Sequence, residues 1–476
     1  MRRRQPFAGE PQAVVVLPES DPTLGGELEL LELERAEFQA ELGTSVELSS
    51  VDPGVGARWL LVIDEHDDAP PRTEIAAGSR LIVSRGADVS GLFEAMSLLR
   101  TAVRRGERVE ATDCGDVDQA IERVVDEVAD TYPAFELRGL AWSEICARNV
   151  ELVRRATDPL AALQAWLAEL QDGHTWVWAP VGNLPYAVHV GGVATFVRVR
   201  EETDGHGEGV RPGWELVAID DVPVDPADWL ARAAAPPHAR ALIAGRRLLA
   251  GPVGVSRAMT ARSPKGGLVT WTEAPTAIPA GDLVSWRRLD SGAAYLRVAA
   301  WVAGHGVEDA IDAAFDELRE RDRLILDLRG NPGGNLVLAS KTRARFLRES
   351  SALGSVRYSI GGGALSDAFP LYADPAPAAK RWPGRLIVLT DALTFSASED
   401  FLLGLQGLEH VAVVGQPSGG GSGRARSLRL LPGMTLTIST ALTYDRGGRC
   451  VEGAGIPVDV IAEGSDVDVL ALAETL

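Results

Sequence analysis

From residue 283 to the C-terminus, short apolar runs alternate with segments of helical period, and this alternation limits the possible folds more than any other feature. Ala294 to Val298, Leu324 to Leu328, Leu386 to Thr390 and Val411 to Val414 read as strands. Val307 to Arg321, Leu336 to Leu347 and Ser398 to Leu408 read as helices. A strand that returns to its sheet through a helix pairs in parallel with its predecessor, so this block is expected to be an α/β core built of βαβ crossovers. In such sheets ligands bind at the loops leaving the carboxyl ends of the strands. Two of those loops read DLRGNPGGN, Asp327 to Asn335, and DALTFSASED, Asp391 to Asp400.

Each loop has a structural and a chemical reading. The Asn-Pro-Gly-Gly run, residues 331–334, is a strong turn signal. Its paired glycines also leave backbone N–H groups unobstructed, as an anion or oxyanion site requires. The GxxxxGKT pattern of a nucleotide phosphate loop is absent. In the second loop, Ser396 and Glu399 have the spacing of a helix capping box. The same serine at a helix N-terminus could act as a nucleophile, because the dipole and the following N–H favour negative charge there.

Composition bounds the rest. With 476 residues, 46% apolar and 24% charged, the chain is expected to form several soluble domains. A formal charge of −20 disfavours phosphate backbones and anionic lipid, so neither nucleic acid nor membrane is an expected partner. Cys114, Cys146 and Cys450 are far apart and lack CxxC spacing, and no HExxH pattern occurs. No metal and no other cofactor is implied. The opening MRRRQPFAGEPQAVVVLPES has too short an apolar run for a secretory signal, so a cytoplasmic protein is expected.

Residues 1–112 read as a separate α/β accessory domain. Strands are expected at Ala13 to Leu17, Trp59 to Ile63 and Arg80 to Ser84, and helices at Glu27 to Leu42 and Ser90 to Arg105. Its stretch SRLIVSRGADVSGLFEAMSLLRTAV resembles the accessory domain of hexosaminidase-type glycoside hydrolases. Residues 113–184 read as a helical lead-in whose second apolar stripe ends at Gly173, just before His174. Residues 185–282 are β-rich. Their centre, GVRPGWELVAIDDVPV, resembles the PDZ signature, although no GLGF-type carboxylate loop is evident and an ordinary β-sandwich piece fits too.

The order DLRGNPGG, strand, SASE opening a helix, then VVGQPSGGG is similar to the catalytic core of the C-terminal processing and tricorn-like serine peptidases, the tail-specific proteases. The resemblance runs from Asp113 to the C-terminus and includes the PDZ-like insert. It implies Ser396 as nucleophile, with the Ala397 N–H and that of Gly333 or Gly334 forming an oxyanion hole. One branch of the family uses a lysine base after the serine, but no lysine follows Lys380 here. Lys341 remains open. The branch of the tricorn core and interphotoreceptor retinoid-binding protein relatives uses histidine and glutamate. Its D-G-H-T pattern stands at Asp172-Gly173-His174-Thr175, which makes His174 the implied base. Its glutamate before G-[VI]-x-P-x-D falls on Glu452, with Asp172 in reserve. The resemblance thus implies a peptidase acting on peptide or protein substrates. The alternative is a catalytically inactive peptide- or small-molecule-binding protein on the same scaffold.

Overall fold

The computed structural model describes the strands Ala13–Val16, Val46–Ser49, Trp59–Asp64 and Arg80–Ser84 within the first 112 residues. It also describes residues 113–476, apart from 180, 200–208, 278–281, 303–304, 422 and 463–465. The chain divides into two compact units. One comprises residues 1–142, 356–369 and 424–441; the other comprises 143–355, 370–423 and 442–476.

In the first unit the four N-terminal strands pair in parallel, in the order Val46–Ser49, Ala13–Val16, Trp59–Asp64, Arg80–Ser84. Three of these were expected; Val46–Ser49 is additional. The helices expected at Glu27 to Leu42 and Ser90 to Arg105 lie outside the described residues. The helix Val117–Thr131 is capped by the Asp116 side chain, which accepts the Gln119 N–H at 2.9 Å. It buries Ile121, Val124 and Val128 on one face. Its buried Glu127 pairs with buried Arg426. The Arg123 guanidinium donates to the Arg429 carbonyl at 2.8 Å. The stretch expected as one helical lead-in is therefore shared: helices up to Arg138 group with the first unit, and the helix Pro159–Ala168 belongs to the second.

The second unit is built on a six-stranded sheet whose spatial order follows the sequence: Val284–Arg288, Ala294–Val298, Arg323–Asp327, Arg385–Thr390, Val411–Gly415, Val460–Ile461. The first pair is antiparallel and every later pair is parallel. Leu324 to Leu326 and Leu386 to Leu389 are at most 1% exposed, which explains why these strands read as continuous apolar runs rather than alternating ones. Truncating any of them to alanine would cost about 2–5 kcal/mol. The C-terminal helix Asp466–Glu474 packs Val469 and Ala473 against Tyr295, Ile325, Ile387 and Leu389 on one sheet face.

The helix expected over Ser398 to Leu408 is shorter, Ala397–Leu402. Leu403 leaves helical geometry at ψ 134°, and Gly404 follows at φ +81°, where a Cβ would meet Leu353 Cδ2 at 2.2 Å. The lead-in helix also ends early, at Ala168, and the left-handed residue beyond it is Gln171, φ 55°, rather than Gly173.

Residues 185–282 form one antiparallel sheet with two helices rather than a sandwich piece. The strand order is Leu268–Glu273, Arg257–Arg262, Glu215–Ile219, Ala194–Val199, Tyr186–Val190. Phe196, Leu216, Ile219, Met259 and Trp271 fill its core. Asp220 and Asp221, both at positive φ, make the two-residue turn of a tight hairpin between Ile219 and Val222. The helix Arg240–Leu248 lies along the outer strand Tyr186–Val190. A Cβ at Gly245 would stand 1.7 Å from the Val188 carbonyl oxygen, so only glycine permits that approach.

Candidate active site

The loops after Arg323–Asp327 and Arg385–Thr390 meet at the carboxyl edge of the core sheet. The Phe395 N–H donates to the Asn331 carbonyl at 3.0 Å, and Thr394 Oγ1 donates to the Leu328 carbonyl at 2.9 Å. Asp391 accepts the Gly330 N–H at 2.9 Å and also pairs with Arg198 at 2.8 Å. Buried Asn331 donates to the Val298 carbonyl and accepts the Gly333 N–H, both at 2.9 Å. The glycine pair is sterically required. A Cβ at Gly333 would lie 2.7 Å from Ser396 Cβ, and one at Gly334 2.2 Å from the Trp301 carbonyl oxygen.

Ser396 sits at the N-terminus of the helix Ala397–Leu402 with φ 57° and ψ −119°. Positive φ at a non-glycine residue is strained, and such strain is a feature of sharp strand-to-helix turns that present a nucleophile. Its Oγ lies 3.0 Å from His174 Nε2. The Glu399 N–H donates to the Ser396 backbone carbonyl at 2.8 Å, and Glu399 Oε2 accepts the Ser396 N–H at 2.9 Å. The neighbouring Ser398 is fully buried and accepts the Trp301 indole N–H at 2.9 Å. Of the two serines in the motif, Ser396 is the one facing a base.

His174 is placed by its own turn. Its N–H donates to Asp172 Oδ1 at 2.8 Å, and the Thr175 hydroxyl donates to Asp172 Oδ2 at 3.1 Å. The imidazole packs against the Phe395 ring, centroids 4.5 Å apart and planes tilted by 34°. Burial pushes its pKa below the ordinary 6.5, against a smaller upward pull from Asp172, so the ring is neutral at pH 7. For Nε2 to accept the serine proton, Nδ1 must carry the hydrogen. Nδ1 is buried and has no hydrogen-bond partner among the described residues. Neither Asp172 nor Glu452 bonds to it, so the orienting contact expected of Glu452 is not made in this structure. Glu452 is nonetheless buried, 4% exposed, and the next residue, Gly453, donates its N–H to the Gly420 carbonyl at 2.8 Å.

Two residues emerge that sequence reasoning did not place in the site. Glu399, read only as a cap, is buried and accepts four hydrogen bonds. Besides the Ser396 N–H, these come from the Ser418 hydroxyl at 2.6 Å, the Gly420 N–H at 2.7 Å and the Gly421 N–H at 2.8 Å. Burial pushes its pKa up to about 7, against donors that favour the charged form. Phe395 is the second. Cβ atoms at Gly173, Gly419 and Gly421 would meet its ring at 2.6, 2.7 and 1.9 Å. The glycines of DGHT and PSGGG thus make room for the aromatic ring against which the histidine packs.

The Gly333 N–H is engaged by Asn331, whereas among the described residues no hydrogen bond engages the Gly334 N–H; the Ala397 N–H opens the helix Ala397–Leu402. Lys341 pairs with Glu308 at 3.3 Å, far from the role of a serine base. Among the described residues no cluster of three or more His, Cys, Asp or Glu could hold a metal ion, and no helix is long and apolar enough to cross a membrane.

Residues 292–462 match the model of Peptidase family S41. No curated protein matches the chain by sequence. Among solved structures the fold is similar to mature CPAF complexed with lactacystin, with 15% identity, TM-score 0.56, and coverage of 75% of this chain and 95% of that one. It is also similar to the photosystem II D1 C-terminal processing protease, with 17% identity, TM-score 0.50, and coverage of 75% and 97%.

Proposed function

We propose that this chain, whose residues 292–462 match the model of Peptidase family S41, is a serine peptidase of the tail-specific, tricorn-like kind, hydrolysing peptide bonds through an acyl-enzyme on Ser396. The observation that carries this reading is the 3.0 Å contact between His174 Nε2 and Ser396 Oγ, made between motifs 222 residues apart. A serine hydroxyl is scarcely ionised at neutral pH and needs such a base. His174, held neutral by burial, is in the right form to take the proton.

The steps follow from that pair. Ser396 Oγ attacks the scissile carbonyl as its proton passes to Nε2. The oxyanion then accepts hydrogen bonds from the Ala397 and Gly334 N–H groups; each such donor is typically worth about 10²–10³ in rate. The imidazolium returns the proton to the leaving amine, and water resolves the acyl-enzyme by the reverse sequence. Glu452 is the carboxylate assigned to Nδ1. Its burial supports this role, as does the hydrogen bond that ties its loop to the Gly420 loop. Peptides or proteins are the substrates, and the machinery draws on no cofactor.

A fluorophosphonate probe tests the proposal directly. Labelling at Ser396 is expected, together with a loss in kcat of about 10³-fold or more in Ser396→Ala. A correctly folded protein that is not labelled, or a Ser396→Ala variant that keeps peptide hydrolysis, would support the inactive binding protein instead.

A further inference from the structure

Trp301 follows the strand Ala294–Val298 and is 1% exposed. Its backbone forms a parallel bridge with Gly334. The Trp301 N–H donates to the Gly333 carbonyl at 3.0 Å, and the Asn335 N–H donates to the Trp301 carbonyl at 2.6 Å. The residues on both sides of Gly334 are therefore tied to this one tryptophan. The approach is close, because Gly334 stands at φ +126° and a Cβ there would collide with the Trp301 carbonyl oxygen.

The side chain of Trp301 reaches the other half of the site. Its indole N–H donates to the buried Ser398 hydroxyl oxygen at 2.9 Å, and Ser398 directly follows Ala397. Its ring stacks on Phe401, centroids 5.7 Å apart and planes at 29°. Ser398 and Phe401 are three residues apart on one face of the helix Ala397–Leu402, so the indole holds that face at two points. A helix of six residues takes its position from tertiary contacts rather than from its own stability. Gly333 closes the gap between the two halves, since a Cβ there would stand 2.8 Å from the Ala397 nitrogen. One buried residue thus joins the turn that carries the Gly334 N–H to the helix that the Ala397 N–H opens. A phenylalanine ring could supply the apolar contact, but the indole N–H adds a directional bond that fixes the helix in place.

We propose that Trp301 is a positioning residue of the oxyanion site: its backbone sets Gly334, its indole sets the helix through Ser398, and together they fix the spacing of the Gly334 and Ala397 N–H groups. This inference deepens the peptidase reading and rests on it. Donors stabilise a developing oxyanion only when they stand about 2.7–3.1 Å from where the charge forms. A misplacement of about 1 Å can cost about 10²-fold in rate, so a residue that sets the spacing acts on the transition state through the two N–H groups, without touching substrate.

The test is the rate at which a fluorophosphonate probe labels Ser396 in the full-length protein, because the phosphonyl oxygen takes the place of the substrate oxyanion. Trp301→Phe keeps an aromatic ring and deletes the indole N–H, and Ser398→Ala deletes its acceptor. Each is expected to slow labelling by about tenfold and, with any cleaved peptide, to lower kcat while KM stays unchanged. The double variant Trp301→Phe/Ser398→Ala leaves neither partner buried and unpaired, so its thermal melt should return toward that of the parent while labelling stays slow. A merely structural bond predicts instead that labelling and melting temperature recover together. That outcome overturns the proposal, as does parent-like labelling of either single variant. If Trp301→Phe fails to fold, Ser398→Ala, which leaves the indole ring in the core, decides by the same criterion. An unlabelled parent protein overturns the peptidase reading and this inference with it, whereas a labelled parent with equally reactive variants overturns this inference alone.

Discussion

Around Ser396 the chain is tied in several directions. Its N–H goes to Glu399, its carbonyl accepts the Glu399 N–H, and a Cβ at Gly333 would stand only 2.7 Å from its own Cβ. Around His174 the backbone is equally well fixed, by Asp172, but among the described residues the imidazole itself has one ring contact, one hydrogen bond to Ser396, and a buried Nδ1 with no hydrogen-bond partner. Ser396 is therefore fixed by local and loop–loop hydrogen bonds. The His174 ring is held by its contact with Phe395 and by the hydrogen bond to Ser396. In a serine peptidase the first arrangement sets where attack occurs, and the second sets how readily the proton leaves.

This contrast breaks most sharply at Glu452. If that carboxylate completes the base, Glu452→Gln lowers kcat by about 10³–10⁴-fold with little change in KM, because the wrong imidazole tautomer becomes available. Steady-state kinetics with any cleaved peptide would check it. An unaltered kcat would mean that packing against Phe395 alone orients the ring.

On the nucleophile side the corresponding change is Glu399→Gln. The amide nitrogen would face an N–H or O–H donor where a carboxylate oxygen now accepts, and stability should fall by about 1–3 kcal/mol in denaturant unfolding. The pH dependence supplies a sign. The Glu399 carboxyl titrates near 4.5 in an unfolded chain and at about 7 in the fold, so the folded state holds the proton more tightly. That contribution is complete below about pH 4.5 and is lost as pH rises through about 7. The Gln variant should lack this decline, and an identical pH profile in both proteins would refute the assignment.

The smallest effect concerns the base itself. Because burial lowers the His174 pKa, the acid limb of kcat/KM should have its midpoint below 6.5. A pH–rate profile with its midpoint above 6.5 would place the imidazole in a more polar or more anionic setting than the one described.

Much of this site was legible because its chemistry is carried by contiguous motifs. SASE and DGHT pointed to the serine and the histidine whose side chains meet, and the apolar runs foretold the parallel sheet that brings the SASE and DLRGNPGG loops together. The part that was not legible depends on partners distant in sequence. Glu399 and Ser396 are three residues apart and look like a cap in isolation; the Ser418, Gly420 and Gly421 donors that give Glu399 its second role are about twenty residues downstream. The glycines around Phe395 come from two separate loops and read only as breakers, because a space left for a ring has no local signature. The expected end of the lead-in helix at Gly173 failed for the same reason, since that glycine serves the Phe395 ring rather than the helix terminus.

The 222-residue separation of His174 and Ser396 has a consequence for how the chain becomes active. Non-local contacts form late, after loop closure across the intervening chain. During synthesis the histidine emerges long before the serine, and the Gly453 loop that braces Gly420 emerges later still. A nascent or truncated chain would carry an unpaired nucleophile or an idle base, so hydrolytic potential would appear only once the last segment has docked. Acylation of Ser396 would then report completed folding as well as catalysis.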